Sequence, residues 1–372
     1  MRKKLVYADN AATTQMSIKA VEAMNTYLRV EYANASQPYT FAREPKKALR
    51  QARETIAKCI GAESPDEIFF TSCGTESDNW VIENSILQHR NIYTSSIEHH
   101  AILNSCAFAE SLGIKVQYIS VDKTGIVLID ELKRNLQKGG MVSIMFANNE
   151  IGTIEPIKDI AVLAHENDCL FHTDAVQAIG HIPINVKDME IDLLSASAHK
   201  FNGPKGVGFF YKRNGVRISP LIYGGSQERG LRAGTENVAA IVAMATALEE
   251  NVSQINKNIQ HIKLLEKQLI SMLVESGVRF HRNGASDHIP GNISLSFPKT
   301  DGEALLHRLD LLGVCISTGS ACDSKRTQIS HVLKAIGLDE TLAKGTIRIT
   351  LGKNNTEEDV TRIIDALRRI LG

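Results

Sequence analysis

The sequence lacks long apolar runs and any excess of charge. No stretch of the 372 residues approaches about 18 consecutive apolar positions, and Asp9 precedes any apolar run of signal-peptide length. Lys and Arg together number 42, as do Asp and Glu, so no overall field attracts nucleic acid or an acidic membrane. We therefore expect a soluble, unexported protein with neither nucleic acid nor membrane as a partner.

Cysteine spacing typical of zinc sites is also missing. None of the six cysteines belongs to a Cys-x-x-Cys motif, which argues against a metal site and a disulfide framework and suits a reducing cytoplasm. Four of them lie among apolar residues and are predicted to be inert: Cys59, Cys106, Cys169 and Cys315. We predict a cytoplasmic protein with no metal site of its own.

The chain is long enough for one large and one smaller domain. Between residues 67 and 197, strand-like apolar segments, one of them at 142–146, alternate with segments of helical periodicity. The alternation predicts an α/β unit whose mostly parallel sheet is covered by helices on both faces. Helices are also predicted at 46–60 and, as one long element, at 237–276, before a small α+β tail.

Lys200 lies between two apolar segments, 192–197 and 207–211, beside an Asn-Gly-Pro turn. Burial at the end of a strand lowers the pKa of a lysine, and a neutral amine can form a Schiff base with an aldehyde. The alternative is an exposed lysine in a hairpin loop. This segment alone does not decide between a Schiff-base lysine and an exposed loop lysine.

Polar side chains follow other predicted strands. Residues 71–77 (Thr-Ser-Cys-Gly-Thr-Glu-Ser) are typical of a phosphate cradle at a helix start. Asp174 ends a strand where it can pair with the ring nitrogen of pyridoxal phosphate, and His99 ends one where it can stack on a planar cofactor. Asn149 can hydrogen-bond a substrate. Helix caps, a loop histidine and a turn asparagine are the alternatives.

Two residues late in the chain also carry chemistry. Cys322 ends a run of small residues and is followed closely by Lys325 and Arg326, and a thiol near positive charge has thiolate character. Arg348 lies inside the strand predicted at 346–350, where a guanidinium needs an anion. That anion is either a substrate carboxylate or a structural partner.

Taken in order, these segments resemble the cysteine desulfurases, pyridoxal-phosphate enzymes of the class V aminotransferase family that feed iron–sulfur assembly and tRNA thiolation. The resemblance covers nearly the whole chain. It is carried by residues 7–14 (Tyr-Ala-Asp-Asn-Ala-Ala-Thr-Thr), 71–79 (Thr-Ser-Cys-Gly-Thr-Glu-Ser-Asp-Asn), 148–152 (Asn-Asn-Glu-Ile-Gly), 197–200 (Ser-Ala-His-Lys), 227–237 (Gln-Glu-Arg-Gly-Leu-Arg-Ala-Gly-Thr-Glu-Asn) and 319–322 (Gly-Ser-Ala-Cys).

The resemblance implies the aspartate aminotransferase-like fold. A large domain over residues 14–255 would hold a mainly parallel seven-stranded sheet, and residues 1–13 and 256–372 would form a small α+β domain with the catalytic cysteine loop. The implied catalytic residues are Lys200, Cys322 and His99. The implied cofactor-binding residues are Gly74, Thr75, His99, Asn149, Asp174, Gln177, Ser197, His199, Lys200 and Thr235, and those for substrate are Asn34 and Arg348.

The implied reaction converts L-cysteine to L-alanine with pyridoxal 5'-phosphate as cofactor. Lys200 would bind the cofactor and take the α-proton of the substrate. The Cys322 thiolate would then attack the substrate sulfur, and the resulting persulfide would supply a sulfur-acceptor protein. Thr235 would reach the phosphate of the partner subunit, which makes the enzyme a homodimer.

Three segments depart from the family pattern. Cys73 stands where the family usually has glycine, and residues 35–43 differ from the usual substrate-binding stretch. The loop after Cys322 has the length of the longer-loop group, lacks its Glu-Pro and is more basic. We therefore expect an acceptor other than the housekeeping scaffold.

Two other functions fit parts of this pattern. A selenocysteine lyase, or another class V aminotransferase or lyase, would share the cofactor residues but would not need Cys322. A non-catalytic subunit of a sulfur-assembly system would keep the fold alone. The joint presence of Lys200, Asp174, His99 and Cys322 favours a catalyst.

Overall fold

The computed structural model describes residues 5–318 and 329–372. Its strands are β1 (Val6–Tyr7), β2 (Ile68–Thr71), β3 (Ile92–Ser95), β4 (Val116–Ile119), β5 (Met141–Ser143), β6 (Leu170–Asp174), β7 (Leu193–Ser197), β8 (Gly208–Lys212), β9 (His281–Asn283), β10 (Asn292–Ser296), β11 (Val314–Cys315) and β12 (Thr346–Thr350). Its α-helices are α1 (Ile18–Arg29), α2 (Arg43–Ile60), α3 (Gly74–Leu87), α4 (His100–Ser111), α5 (Ile129–Asn135), α6 (Ile157–Glu166), α7 (Val238–Ser253), α8 (Ile255–Glu275), α9 (Gly302–Leu311), α10 (His331–Ala335), α11 (Glu340–Ala343) and α12 (Glu357–Leu371).

Seven strands form the central sheet in the order β2-β8-β7-β6-β5-β3-β4. Strand β8 runs antiparallel to both of its neighbours, and the other pairings in this sheet are parallel. The carboxyl ends of β3, β6 and β7 therefore meet at one edge, where such sheets bind ligands. The predicted mainly parallel, seven-stranded sheet is confirmed.

Two large hydrophobic cores lie on either side of the junction between α7 and α8. The larger one joins α2, the central sheet and α7 through residues such as Ile56, Phe171 and Leu248. The smaller one joins α8 to the sheet β12-β10-β9 through residues such as Leu269 and Ile349. Helix α10, late in the chain, packs on the larger core. The predicted domain limits stay a prediction.

The single helix predicted over 237–276 is wrong. Helix α7 ends at Ser253 and α8 begins at Ile255, because Gln254 has φ −114° and ψ 10°. Helix α7 packs against α1 and α2, whereas α8 packs against α12. One straight helix could not turn its apolar face toward both cores, so the chain bends where it leaves the first.

Smaller differences concern element ends. Helix α2 begins at Arg43 rather than at residue 46, because Pro45 falls in its first turn, where a missing N–H breaks no helical bond. The strand predicted at 142–146 loses its β3 partner after Ser143, since Met145 donates its N–H to Glu98 Oε1 at 2.9 Å. Strand β9 and helix α11 are too short to show a periodic signal.

Helix α8 provides a test of the smaller core. Leu269 is 0% exposed, and Leu264, on the same helix, is 68% exposed. Leu269→Ala is expected to lower the free energy of unfolding by about 2–5 kcal/mol, because it removes buried contacts and leaves a cavity. Leu264→Ala should stay within about 0.5 kcal/mol of wild type. Urea denaturation measures both, and equal effects would contradict the assigned burial.

Candidate active site

A cavity of about 390 Å³ lies at the carboxyl edge of the central sheet. Most of the residues predicted for the site line it: Gly74, Thr75, His99, Asn149, Asp174, Gln177, Ser197, His199, Lys200 and Arg348. They come from segments spread over more than 270 positions of the chain. The fold therefore brings an amine, carboxylate, imidazoles, guanidinium and a helix start to one enclosed space.

Lys200 ends a short 3₁₀ turn that directly follows β7. Its Nζ donates hydrogen bonds to the carbonyl oxygens of Ala11 and Ala12, the second at 3.0 Å. The backbone of this turn is also held, because Thr14 donates its N–H to the carbonyl of His199 at 2.9 Å. The polar loop after β1 thus fixes the lysine at the cavity wall.

The start of α3 forms one end of the cavity. Cys73 occupies the N-cap position but makes no capping hydrogen bond with its side chain, so the first helical N–H groups keep their capacity to bind an anion. A Cβ atom at Gly74 would lie 2.5 Å from Cγ2 of Val176, so only glycine fits there. Across the cavity, burial lowers the pKa of His199 to about 4, which leaves its ring neutral.

Asp174, the last residue of β6, supplies a buried carboxylate. Its Oδ1 accepts the N–H of Val176 at 2.9 Å. Burial raises the pKa of Asp174, while the Val176 hydrogen bond and the positive charge of Lys200 oppose that rise. Asp174 is therefore an acid whose ionised form is favoured by a cation in the cavity.

His99 caps the start of α4, where its Nδ1 accepts the N–H of Ala101 at 3.1 Å. A neutral ring that accepts at Nδ1 carries its proton on Nε2. Burial lowers the pKa of His99, and the charge of Asp174 works in the opposite direction. The ring is thus held in one tautomer and at one orientation beside the cavity.

Arg348 is 4% exposed in the middle of β12. Its Nη2 donates to Asp9 Oδ1 at 2.9 Å, and its Nη1 donates to the carbonyl of Asn149 at 2.9 Å. Its Nε has no hydrogen-bond partner among the described residues. Arg348 therefore has a structural carboxylate partner, and because it also lines the cavity, its binding of a substrate carboxylate stays a prediction.

Two of the predicted residues that the structure describes, Asn34 and Thr235, do not line the cavity. Asn34 Oδ1 accepts the N–H of Ser36 in its own loop at 2.9 Å. Thr235 is exposed, on a loop that the ion pair between Arg232 and Glu76 ties to the start of α3. Cys322 lies outside the described residues.

Several lining residues are not predicted by the sequence pattern, among them Ala11, Ala12, Met145 and Val176, because their side chains carry no chemical signal of their own. Among the lining residues that were not predicted, Asp78 has an ionisable side chain. It belongs to the 71–79 segment but lies beyond the predicted cradle, inside a helix, where an aspartate usually faces solvent. Across residues 5–318 and 329–372 no cluster of His, Cys, Asp and Glu side chains could hold a metal ion, and no helix is long and apolar enough to cross a membrane.

Comparison with known proteins finds the same family over almost the full length. The profile of the family described as Aminotransferase class-V matches residues 6–363. A cysteine desulfurase IscS of Dictyoglomus turgidum is 48% identical over 375 residues, covering 99% of this chain and 95% of that protein. One from Methanosarcina thermophila is 46% identical over 374 residues, covering 99% of this chain and 92% of that protein.

Solved structures agree with the sequence comparison. A NifS-like protein superimposes with a TM-score of 0.93 at 40% identity, covering 99% of both chains. The NifS-like protein from Rickettsia africae superimposes with a TM-score of 0.90 at 32% identity, again covering 99% of both chains. The likeness therefore extends to the arrangement of the whole chain.

Glu98, beside His99, makes the stability of this region depend on pH. Its Oε1 accepts hydrogen bonds from Ser95 Oγ at 2.6 Å and from the N–H of Met145 at 2.9 Å, and burial raises its pKa to about 8. The folded protein then holds a proton that the unfolded chain has already lost. Stability should fall as pH rises from the ordinary glutamate pKa toward about 8.

Glu98→Gln keeps the acceptor oxygen and removes the ionisation. We expect this variant to lose the part of the pH dependence that Glu98 causes, which amounts to at most about 1.4 kcal/mol per pH unit. Urea denaturation between about pH 6 and about pH 8 measures the difference. Glu54→Gln, on the exposed side of α2, serves as the control. Identical pH profiles for wild type and Glu98→Gln would contradict a buried, protonated Glu98.

Proposed function

This chain belongs to the class V aminotransferase family and is a cysteine desulfurase, and we propose that it converts L-cysteine to L-alanine using pyridoxal 5'-phosphate and Cys322. One observation carries the proposal: a single cavity joins Lys200, Asp174 and the uncapped start of α3. These are the amine, the anion and the phosphate site that this cofactor needs.

The residues around the cavity fit pyridoxal phosphate. The start of α3, with Thr75, Ser197 and His199, would hold the phosphate, and glycine at position 74 lets this helix start pack closely against Val176. Asp174 would pair with the ring nitrogen, Gln177 with the phenolic oxygen, and His99 would stack on the ring. The bound cofactor supplies an electron sink that stabilises negative charge at the α-carbon of the substrate.

Residues of the chain carry the remaining steps. Arg348 binds the substrate carboxylate, assisted by Asn34, and Asn149 lies near the cofactor oxygen. Lys200 takes the α-proton. The Cys322 sulfur attacks the substrate sulfur, a new S–S bond forms as the substrate C–S bond breaks, and the protein is left with a persulfide. One L-cysteine and one thiol thus give one L-alanine and one persulfide, so the atoms balance.

The loop that carries Thr235 supports a homodimer. Glu228, a buried residue of this loop, pairs with Arg53 and accepts the N–H of Phe70 at 2.9 Å. Thr235 itself is exposed, while a groove of about 420 Å³ between α3 and α4 reaches Thr75 and has the exposed Phe108 in its wall. We propose that Thr235 of the partner subunit enters this groove and contacts the phosphate.

The enzyme would act in the cytoplasm, where reducing conditions keep the described cysteines as thiols. The large domain would span residues 14–255 and the small domain the remainder. The persulfide would pass to an acceptor protein that recognises the basic loop around Lys325 and Arg326. Iron–sulfur assembly and thiolation are both uses that such an acceptor would serve.

The test of the function compares wild type with Cys322→Ala, each loaded with pyridoxal phosphate and given L-cysteine and a reductant. We expect the variant to keep its cofactor and to form alanine and sulfide at least about 100-fold more slowly, because its nucleophile is missing. Cys59→Ala, which changes a half-buried thiol whose pKa burial raises to about 11, should behave as wild type. Unchanged rates in Cys322→Ala would favour another lyase, and an inactive wild type would indicate another substrate.

Arg348→Lys tests the carboxylate site. Lysine keeps the positive charge but loses the planar fork, so we expect KM for L-cysteine to rise about 10- to 100-fold while kcat changes less. The absorption band of the bound cofactor should persist. Arg50→Lys is the matched control, because Arg50 is an exposed arginine on α2 that forms an ion pair with Glu54. A lower kcat with unchanged KM would contradict a binding role for Arg348.

A further inference from the structure

A second buried carboxyl group lies beside the cavity and has no part in the mechanism above. Asp78, on the second turn of α3, is 1% exposed and lines the cavity. Its Oδ1 has no hydrogen-bond partner among the described residues. A buried polar atom with no partner is costly, and one at a cavity wall is available to a ligand.

The charges around Asp78 disfavour its ionised form. Asp174 lies close enough to repel a second carboxylate. Burial is the largest cause of the raised pKa of Asp78. The positive charge of Lys200 and the N–H of Val176 act instead on Asp174, so Asp174 ionises first and Asp78 keeps its proton.

The neighbours of Asp78 on the sheet side are neutral. The hydroxyl of Ser195 partly opposes the raised pKa of Asp78, and its Oγ lies 3.0 Å from Nε2 of His172. His172 Nδ1 in turn lies 2.9 Å from Ser143 Oγ. Burial lowers the pKa of His172 to about 3, so its ring, 3.9 Å from Asp78 Oδ1, offers no compensating charge. The neutral groups Ser195, His172 and Ser143 therefore form a hydrogen-bonded chain beside Asp78.

We propose that Asp78 is a protonated acid in the cavity wall and a positioning residue of the cofactor site, where it keeps Asp174 the single anion that meets the ring nitrogen. A second carboxylate would place two negative charges against one N–H group. A neutral acid supplies a polar, hydrogen-bonding wall without that charge. The inference rests on the proposed function, because it takes pyridoxal phosphate as the occupant of the cavity.

The first measurement uses the cofactor-free protein at about pH 7, where a protonated carboxyl group gives an infrared carbonyl band distinct from that of a carboxylate. We expect wild type to show a band that Asp78→Asn lacks. Glu155→Gln is the matched control, since burial raises the pKa of Glu155 to about 8 and this residue does not line the cavity. A spectrum unaltered by Asp78→Asn would overturn the proposal.

The second measurement is titration of each cofactor-free protein with pyridoxal phosphate, followed by the pH profile of the bound cofactor's absorption band. Asp78→Asn, always neutral, should bind within about threefold of wild type and keep the profile, whereas Asp78→Leu should bind at least about tenfold more weakly and shift it. Glu155→Gln should match wild type in both. The proposal is wrong if Asp78→Asn binds pyridoxal phosphate as weakly as Asp78→Leu does. It is also wrong if Asp78→Leu binds the cofactor as tightly as wild type and keeps the pH profile.

The outcomes separate this inference from the proposed function. A wild type that does not bind pyridoxal phosphate contradicts the proposed function, and the positioning role with it. Normal binding by wild type together with unaltered variants contradicts the role of Asp78 alone. Should Asp78→Leu not fold, as judged by circular dichroism, the infrared band and the Asp78→Asn titration still decide.

Discussion

Desolvation of ionisable groups is the constraint on which this site depends. Burial is the largest cause of the shifted pKa of Asp174, His99 and Glu98. Neighbouring charges and hydrogen bonds then also shift the pKa of each group. In water these groups would titrate independently near their ordinary values. In the folded protein their charge states are set jointly, which suits the cavity to the charged cofactor that we propose for it.

The cavity is closed by segments from opposite ends of the chain. The loop after β1 supplies the carbonyls that hold Lys200, and its Asp9 pairs with Arg348, 339 positions away. Strand β1 pairs in parallel with β11, which places this loop beside the smaller core. A change in the packing of the smaller core would thus be transmitted to the lysine and the arginine together.

Backbone strain marks the loop that carries Thr235, which we propose reaches the cofactor site of the partner subunit. Glu228 and Arg229 have φ of 46° and 58°, values that cost free energy for residues with side chains. The buried pair between Arg53 and Glu228 and the stacking of Arg229 on Phe69 hold this conformation. Such over-determined geometry suits the role that we propose for this loop, which is to present the exposed Thr235 in a fixed position.

The sequence by itself determined the alternating strands and helices, the edge at which polar residues gather, and the motif residues from Gly74 to Lys200 that line the cavity. These features are local: burial repeats along a strand or helix, and caps and turns need particular residues nearby. The tertiary structure decided the break between α7 and α8, the structural partner of Arg348 and the burial of Asp78. Each depends on which distant groups packing brings together, and a charge buried beside another charge leaves no periodic trace in the chain.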